Sequence, residues 1–77
     1  MNIYWVSAII QNEHDKKPWV CAMNMPNLSL ESAMETIERT RGNFTVLSAW
    51  VDVFDEDRNK QTVFHKCYID VFGNVRK

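Results

Sequence analysis

Apolar and polar positions alternate along four stretches of the chain, and along a fifth the apolar positions recur every three or four residues. The strongest alternation runs from Phe44 to Phe54. Successive side chains of a strand point to opposite faces. Leu47, Ala49, Val51 and Val53 therefore share one face, and Phe44, Val46, Ser48, Trp50, Asp52 and Phe54 share the other. The first set is small and aliphatic and suits a surface that a helix covers. The second is aromatic and has no evident cover. Ile3 to Gln11 is another β-rich run with no turn residue inside it. A polar turn separates it from Trp19-Val20-Cys21-Ala22-Met23, which Pro18 introduces. Proline has no N–H to give a ladder, which places this short strand at a sheet edge. The polar loop Asp55–Lys60 leads to the last run, Gln61 to Phe72. The strands are predicted over about residues 3–11, 19–24, 44–55 and 61–72.

Asn24-Met25-Pro26-Asn27 interrupts the alternation, and a helix is predicted beyond it over about residues 30–41. Ser29 is its candidate N-cap. Glu31 in the first turn and Arg39 and Arg41 in the last complement the helix dipole. Leu30, Ala33, Met34 and Ile37 recur at helical spacing, with Glu31, Glu35 and Glu38 opposite them. Gly42 is the expected left-handed residue past the helix end.

These elements predict a single α+β domain over residues 1–77 in the order ββαββ. It is a four-stranded antiparallel sheet in the order 2-1-3-4 with one helix on one face, and the crossover through the helix is expected to be right-handed. A short echo between Val6-Ser7-Ala8 and Leu47-Ser48-Ala49 orients the first strand. Tyr4, Val6, Ala8 and Ile10 then face the helix, and Ile3, Trp5, Ser7 and Ile9 face away. In the last hairpin, odd residues must pair with odd ones to keep the aliphatic residues together. A three-residue loop Asp57-Arg58-Asn59, with Asn59 left-handed, does this. It sets Trp50 opposite Lys66, turns Val63, His65 and Cys67 to the helix, and turns Phe64, Tyr68 and Phe72 away from it.

One helix covers one side of such a sheet. The other side is expected to present Trp5, Ile9, Phe44, Trp50, Phe54, Phe64, Tyr68 and Phe72, and a contiguous apolar patch of that size marks an interface. The candidate interface residues are Trp5, Ile9, Trp50, Phe54, Phe64, Tyr68 and Phe72.

Composition narrows the chemistry. The chain has 77 residues, 45% hydrophobic and 25% charged, which is ordinary for a folded domain. Its formal net charge of −1 gives no general attraction to nucleic acid or anionic lipid. The opening residues lack the basic region of a secretory leader, and no apolar stretch is long enough for a membrane span, so a cytoplasmic protein is expected. Two cysteines, Cys21 and Cys67, are too few for a disulfide scaffold and are expected to be reduced and buried. The run Asp55-Glu56-Asp57-Arg58-Asn59 lacks the glycine and closing glutamate of a calcium loop. His65 and Cys67 supply half of a metal-ligand pair at most, and no third group is evident to orient them for nucleophilic catalysis. Catalytic residues, metals and cofactors are therefore not expected.

The reading is a non-enzymatic interaction protein that buries its aromatic sheet face in a homodimer or against a protein partner. A second reading, nucleic-acid binding with the same rings as a stacking platform, is disfavoured by Asp52 and Asp70 on the proposed face. The small ββαββ plan is similar in style to the small reading frames of bacteria, phages and integrated elements. That likeness rests on no motif and assigns no residue a role.

Overall fold

The structure is a computed structural model that describes residues 2–12, 19–54 and 57–69, with the side chain of Trp19 left aside. It contains β1 (Ile3–Asn12), β2 (Trp19–Asn27), α1 (Leu30–Asn43), β3 (Thr45–Phe54) and β4 (Lys60–Cys67). The four strands form one sheet in the order β2-β1-β3-β4, and every neighbouring pair is antiparallel. The helix packs on β1, β3 and β2 but does not reach β4. The ββαββ order and the strand arrangement are those the sequence predicts.

The helix begins as its sequence dictates. Ser29 is extended, and its Oγ accepts the Ser32 N–H at 3.0 Å, satisfying one of the otherwise orphaned donors of the first turn. The end differs from expectation. The helix runs through Gly42 and Asn43, Phe44 caps it with extended backbone, and its N–H reaches the Thr40 carbonyl at 2.8 Å. Asn43 Nδ2 donates to the Arg39 carbonyl, so the last turn is closed by a side chain and needs no left-handed glycine. The buried stripe is Ala33, Thr36 and Ile37, with Met34 at its margin, whereas Leu30 is 41% exposed.

Thr36 fits that stripe because its hydroxyl is satisfied. Asn27, at the end of β2, accepts hydrogen bonds at Oδ1 from Ser32 Oγ (2.9 Å) and Thr36 Oγ1 (2.8 Å), and it donates through Nδ2 to the Met25 carbonyl. A polar seam thus ties the helix to the outer strand. It also explains why β2 runs on through Met25 and Pro26 instead of stopping at Asn24. Pro26 pairs with Trp5 at the sheet edge, where a missing donor is tolerated.

The core consists of Val6, Ala8, Ile10, Ala33, Ile37, Val46, Ala49, Val51 and Tyr68, each 5% exposed or less, with Tyr4, Met23, Met34 and Phe64 packed around it. Ala8 pairs directly with Ala49, and both lie buried with Ala33. Small residues at that crossing let the helix lie close to the sheet.

Two β-bulges alter the faces read from the sequence. Between β1 and β3 the pairing shifts from Ile9↔Ser48 to Ile10↔Val46, which leaves Leu47 as the extra residue. Val46 therefore joins the helix side, against expectation. Between β3 and β4 the pairing shifts from Asp52↔Thr62 to Val51↔Phe64, which leaves Val63 extra. Trp50 accordingly pairs with His65 and not with Lys66, and Phe54 pairs with Lys60. The connecting turn is longer than three residues, and the left-handed residue is Arg58 (φ 64°), not Asn59.

Candidate interaction face

The register of the four strands defines a side of the sheet that no described element covers. In adjoining rows it carries Ile3, Phe54 and Lys60; then Pro26, Trp5, Asp52 and Thr62; then Asn24, Ser7, Trp50 and His65; then Ala22, Ile9, Ser48 and Cys67. The rows follow from strand pairing because directly opposed residues share a face.

Four of the expected interface residues, Trp5, Ile9, Trp50 and Phe54, come together here. Two do not. Phe64 pairs with Val51 and packs against the core from the helix side, and Tyr68 is a core residue. The cause is the bulge at Val63. One extra residue in β4 moves every side chain beyond it to the opposite face. Phe72 lies outside the described residues, as does Asp70. Phe44 is 38% exposed at the helix C-cap, beyond the ladder. The same displacement brings His65 and Cys67, expected among the aliphatic residues, to the open side. Cys21 and Cys67 are both exposed free thiols, which corrects the expectation of burial.

At the centre of the face, large and small side chains alternate diagonally. Trp5 stands opposite Asp52, and Ser7 stands opposite Trp50. The indoles rise beside the two short polar residues and shield them, so that Ser7 is 8% exposed and Asp52 only 6%, on a side of the sheet with no second layer. Both find partners. Asn24 Nδ2 donates to Ser7 Oγ at 3.2 Å, and Thr62 Oγ1 donates to Asp52 Oδ1 at 2.6 Å. A buried carboxyl left without such a partner would be costly. Trp50 meets His65 edge to face, with ring centroids 6.3 Å apart and planes at 63°. Phe54 is 39% exposed, as is Ile3 opposite it.

Trp5, Asn24, Asp52, Phe54 and Lys60 line a shallow depression of about 510 Å³. Two of the lining side chains are aromatic, and an acid and a base, Asp52 and Lys60, share it. No ion pair joins Lys60 to Asp52. Nothing in the sequence pattern announces this depression, because it depends on the β1–β3 and β3–β4 registers together.

On the other side of the sheet, two cations lie against the Tyr68 ring. The Arg41 guanidinium lies 4.6 Å from its ring centre and Lys66 Nζ 5.2 Å. The Tyr68 N–H also donates to the Leu47 carbonyl at 2.8 Å, fixing the chain beside the first bulge. Burial pushes its phenol above the usual value of 10.0, Arg41 opposes that rise, and Glu38 adds to it.

Among the described residues, no three His, Cys, Asp or Glu side chains gather as a metal site would require. No helix among them is long and apolar enough to cross a membrane. The chain matches no known protein-family model, no curated protein and no solved structure.

Proposed function

We propose that this chain is a small non-enzymatic interaction protein, acting in the cytoplasm, that buries the open face of its sheet in a homodimer or against a protein partner. The observation that carries this reading is the assembly of Trp5, Ile9, Trp50 and Phe54 on one face with no described element above them. Rigid aromatic side chains surrounded by small residues are the usual anchors of protein interfaces. Trp5 and Trp50 are the central anchors. Phe54 and Ile9 extend the patch along β3 and β1.

Single-stranded nucleic acid would stack on the same rings, but it needs a basic track for its backbone. The rows described offer Lys60 and His65, with Asp52 between the tryptophans. That balance favours protein.

Solution mass across a range of concentrations, at low and high salt, tests the reading. A dimer, or a complex with an isolated partner, that persists in salt and weakens by about 2 kcal/mol or more in Trp50→Ala is expected. Tight binding to single strands that collapses as salt rises would instead establish the nucleic-acid reading. Association undiminished in Trp50→Ala would show that another surface is used.

A further inference from the structure

We infer that the occupant of the open face is a second copy of this chain, docked about a two-fold axis so that Lys60 of each copy enters the depression over Asp52 of the other. The inference rests on the proposed interaction face and adds the identity and register of the partner.

The observation that carries it is charge complementarity. The open face holds a buried acid, Asp52, and an exposed base, Lys60, which line the same depression with Trp5 and Phe54. The two belong to adjacent rows of the same ladder yet form no ion pair within the chain. An isologous contact requires that a residue touching another across the axis be touched in return by its symmetry mate. A surface carrying one acid and one base in neighbouring rows meets that requirement: an axis passing between them superposes each on its opposite. Trp5 and Phe54 wall the depression and supply the apolar seal around the two contacts, and ring faces also favour an approaching ammonium. Asp52 has an acceptor to spare, since a carboxylate offers about four lone-pair positions and the Thr62 hydroxyl occupies one oxygen.

Mixed charge variants test the contact in trans. Lys60→Glu places a carboxylate over Asp52 of the other copy at both contacts, and it is expected to weaken the dimer roughly tenfold or more. Asp52→Asn keeps the acceptor for Thr62 and removes the charge. When the Lys60→Glu and Asp52→Asn proteins are mixed, one contact of the heterodimer is native and the other pairs Asn with Glu. Native mass spectrometry should then show heterodimers well above the statistical share, together with recovery of dimer in the Asp52→Asn/Lys60→Glu double variant. A statistical mixture, or effects of the two substitutions that merely add, overturns the register. If dimers persist with such a mixture and Trp50→Ala still dissociates them, the open face stands as the interface and only the Lys60–Asp52 contact is lost. A chain that stays monomeric at every concentration overturns the self-docking proposal outright.

Discussion

The two faces of this sheet are built from the same four strands and use opposite materials. The centre of the covered face is made of Val6, Ala8, Ile10, Val46, Ala49 and Val51, all buried and none larger than isoleucine, with the larger Tyr4, Phe64 and Tyr68 packed around them. The open face holds Trp5, Trp50 and Phe54, and it buries instead the two short polar residues between the indoles, Ser7 and Asp52. Short side chains let a helix lie close to a sheet, and Ala33, Ala8 and Ala49 share the buried cluster between them. Indoles in the same rows would hold the helix away. Size thus separates a surface finished within the chain from one that offers its bulk outward.

Substitutions should separate the two faces, and the largest effect belongs to the covered one. Ile37→Ala removes a fully buried side chain from the helix–sheet contact and should lower unfolding stability by about 2–4 kcal/mol in urea titrations. Trp50→Ala should do the reverse of this in kind. Its main cost, about 2 kcal/mol or more, should appear in association, with a smaller change in unfolding measured at dilutions where the protein is monomeric. If Trp50→Ala unfolds the monomer as readily as Ile37→Ala does, the two faces are not distinct in role.

Tyr68 sharpens the comparison at the edge of the covered face. Its folded pKa is raised above 10.0, chiefly by burial. The protonated phenol is the form the fold favours, so its contribution is complete below pH 10 and is lost as the pH rises through the folded value. Unfolding stability followed above pH 10 should fall more steeply in the parent than in Tyr68→Phe. Parallel profiles would remove Tyr68 from the alkaline response. The smallest effect concerns the turn that joins β3 to β4. Arg58 holds a left-handed backbone that a non-glycine residue adopts at some cost. Arg58→Asn should raise stability by a few tenths to about 1 kcal/mol, measured by thermal unfolding.

Much of the architecture was legible in the residues themselves. The alternation in Ile3–Gln11 and Phe44–Phe54 located the central strands, Pro18 placed the second strand at an edge, and Ser29 marked the helix start. The side assigned to Tyr4, Val6, Ala8 and Ile10 agrees with their packing. The bulges were not legible, and the reason is chemical. Leu47 and Val63 are ordinary strand-forming aliphatics with no glycine or proline beside them, so a strand with one extra residue reads as an uninterrupted strand. The shift at Val63 places Phe64 and Tyr68 on the helix side and His65 and Cys67 on the open side, the reverse of what the alternation alone predicts. Thr36 is not legible among the buried helix positions, because a hydroxyl reads as polar until its acceptor, Asn27 on β2, is known. Asp52 shares its run with Trp50 and Phe54. Its burial beside Trp5 depends on cross-strand pairing that no local pattern reveals.

Pro26 in β2 and the extra residue Val63 in β4 lie on the two outermost strands. An outermost strand with a continuous row of free N–H and C=O groups invites further strands to add in the plane of the sheet, without limit. Here one rim lacks a donor and the other is kinked. Lateral growth into ribbons is hindered on both sides, while stacking through the aromatic face remains open. A molecule of this shape can close into a finite pair, and its exposed rings do not commit it to polymerisation.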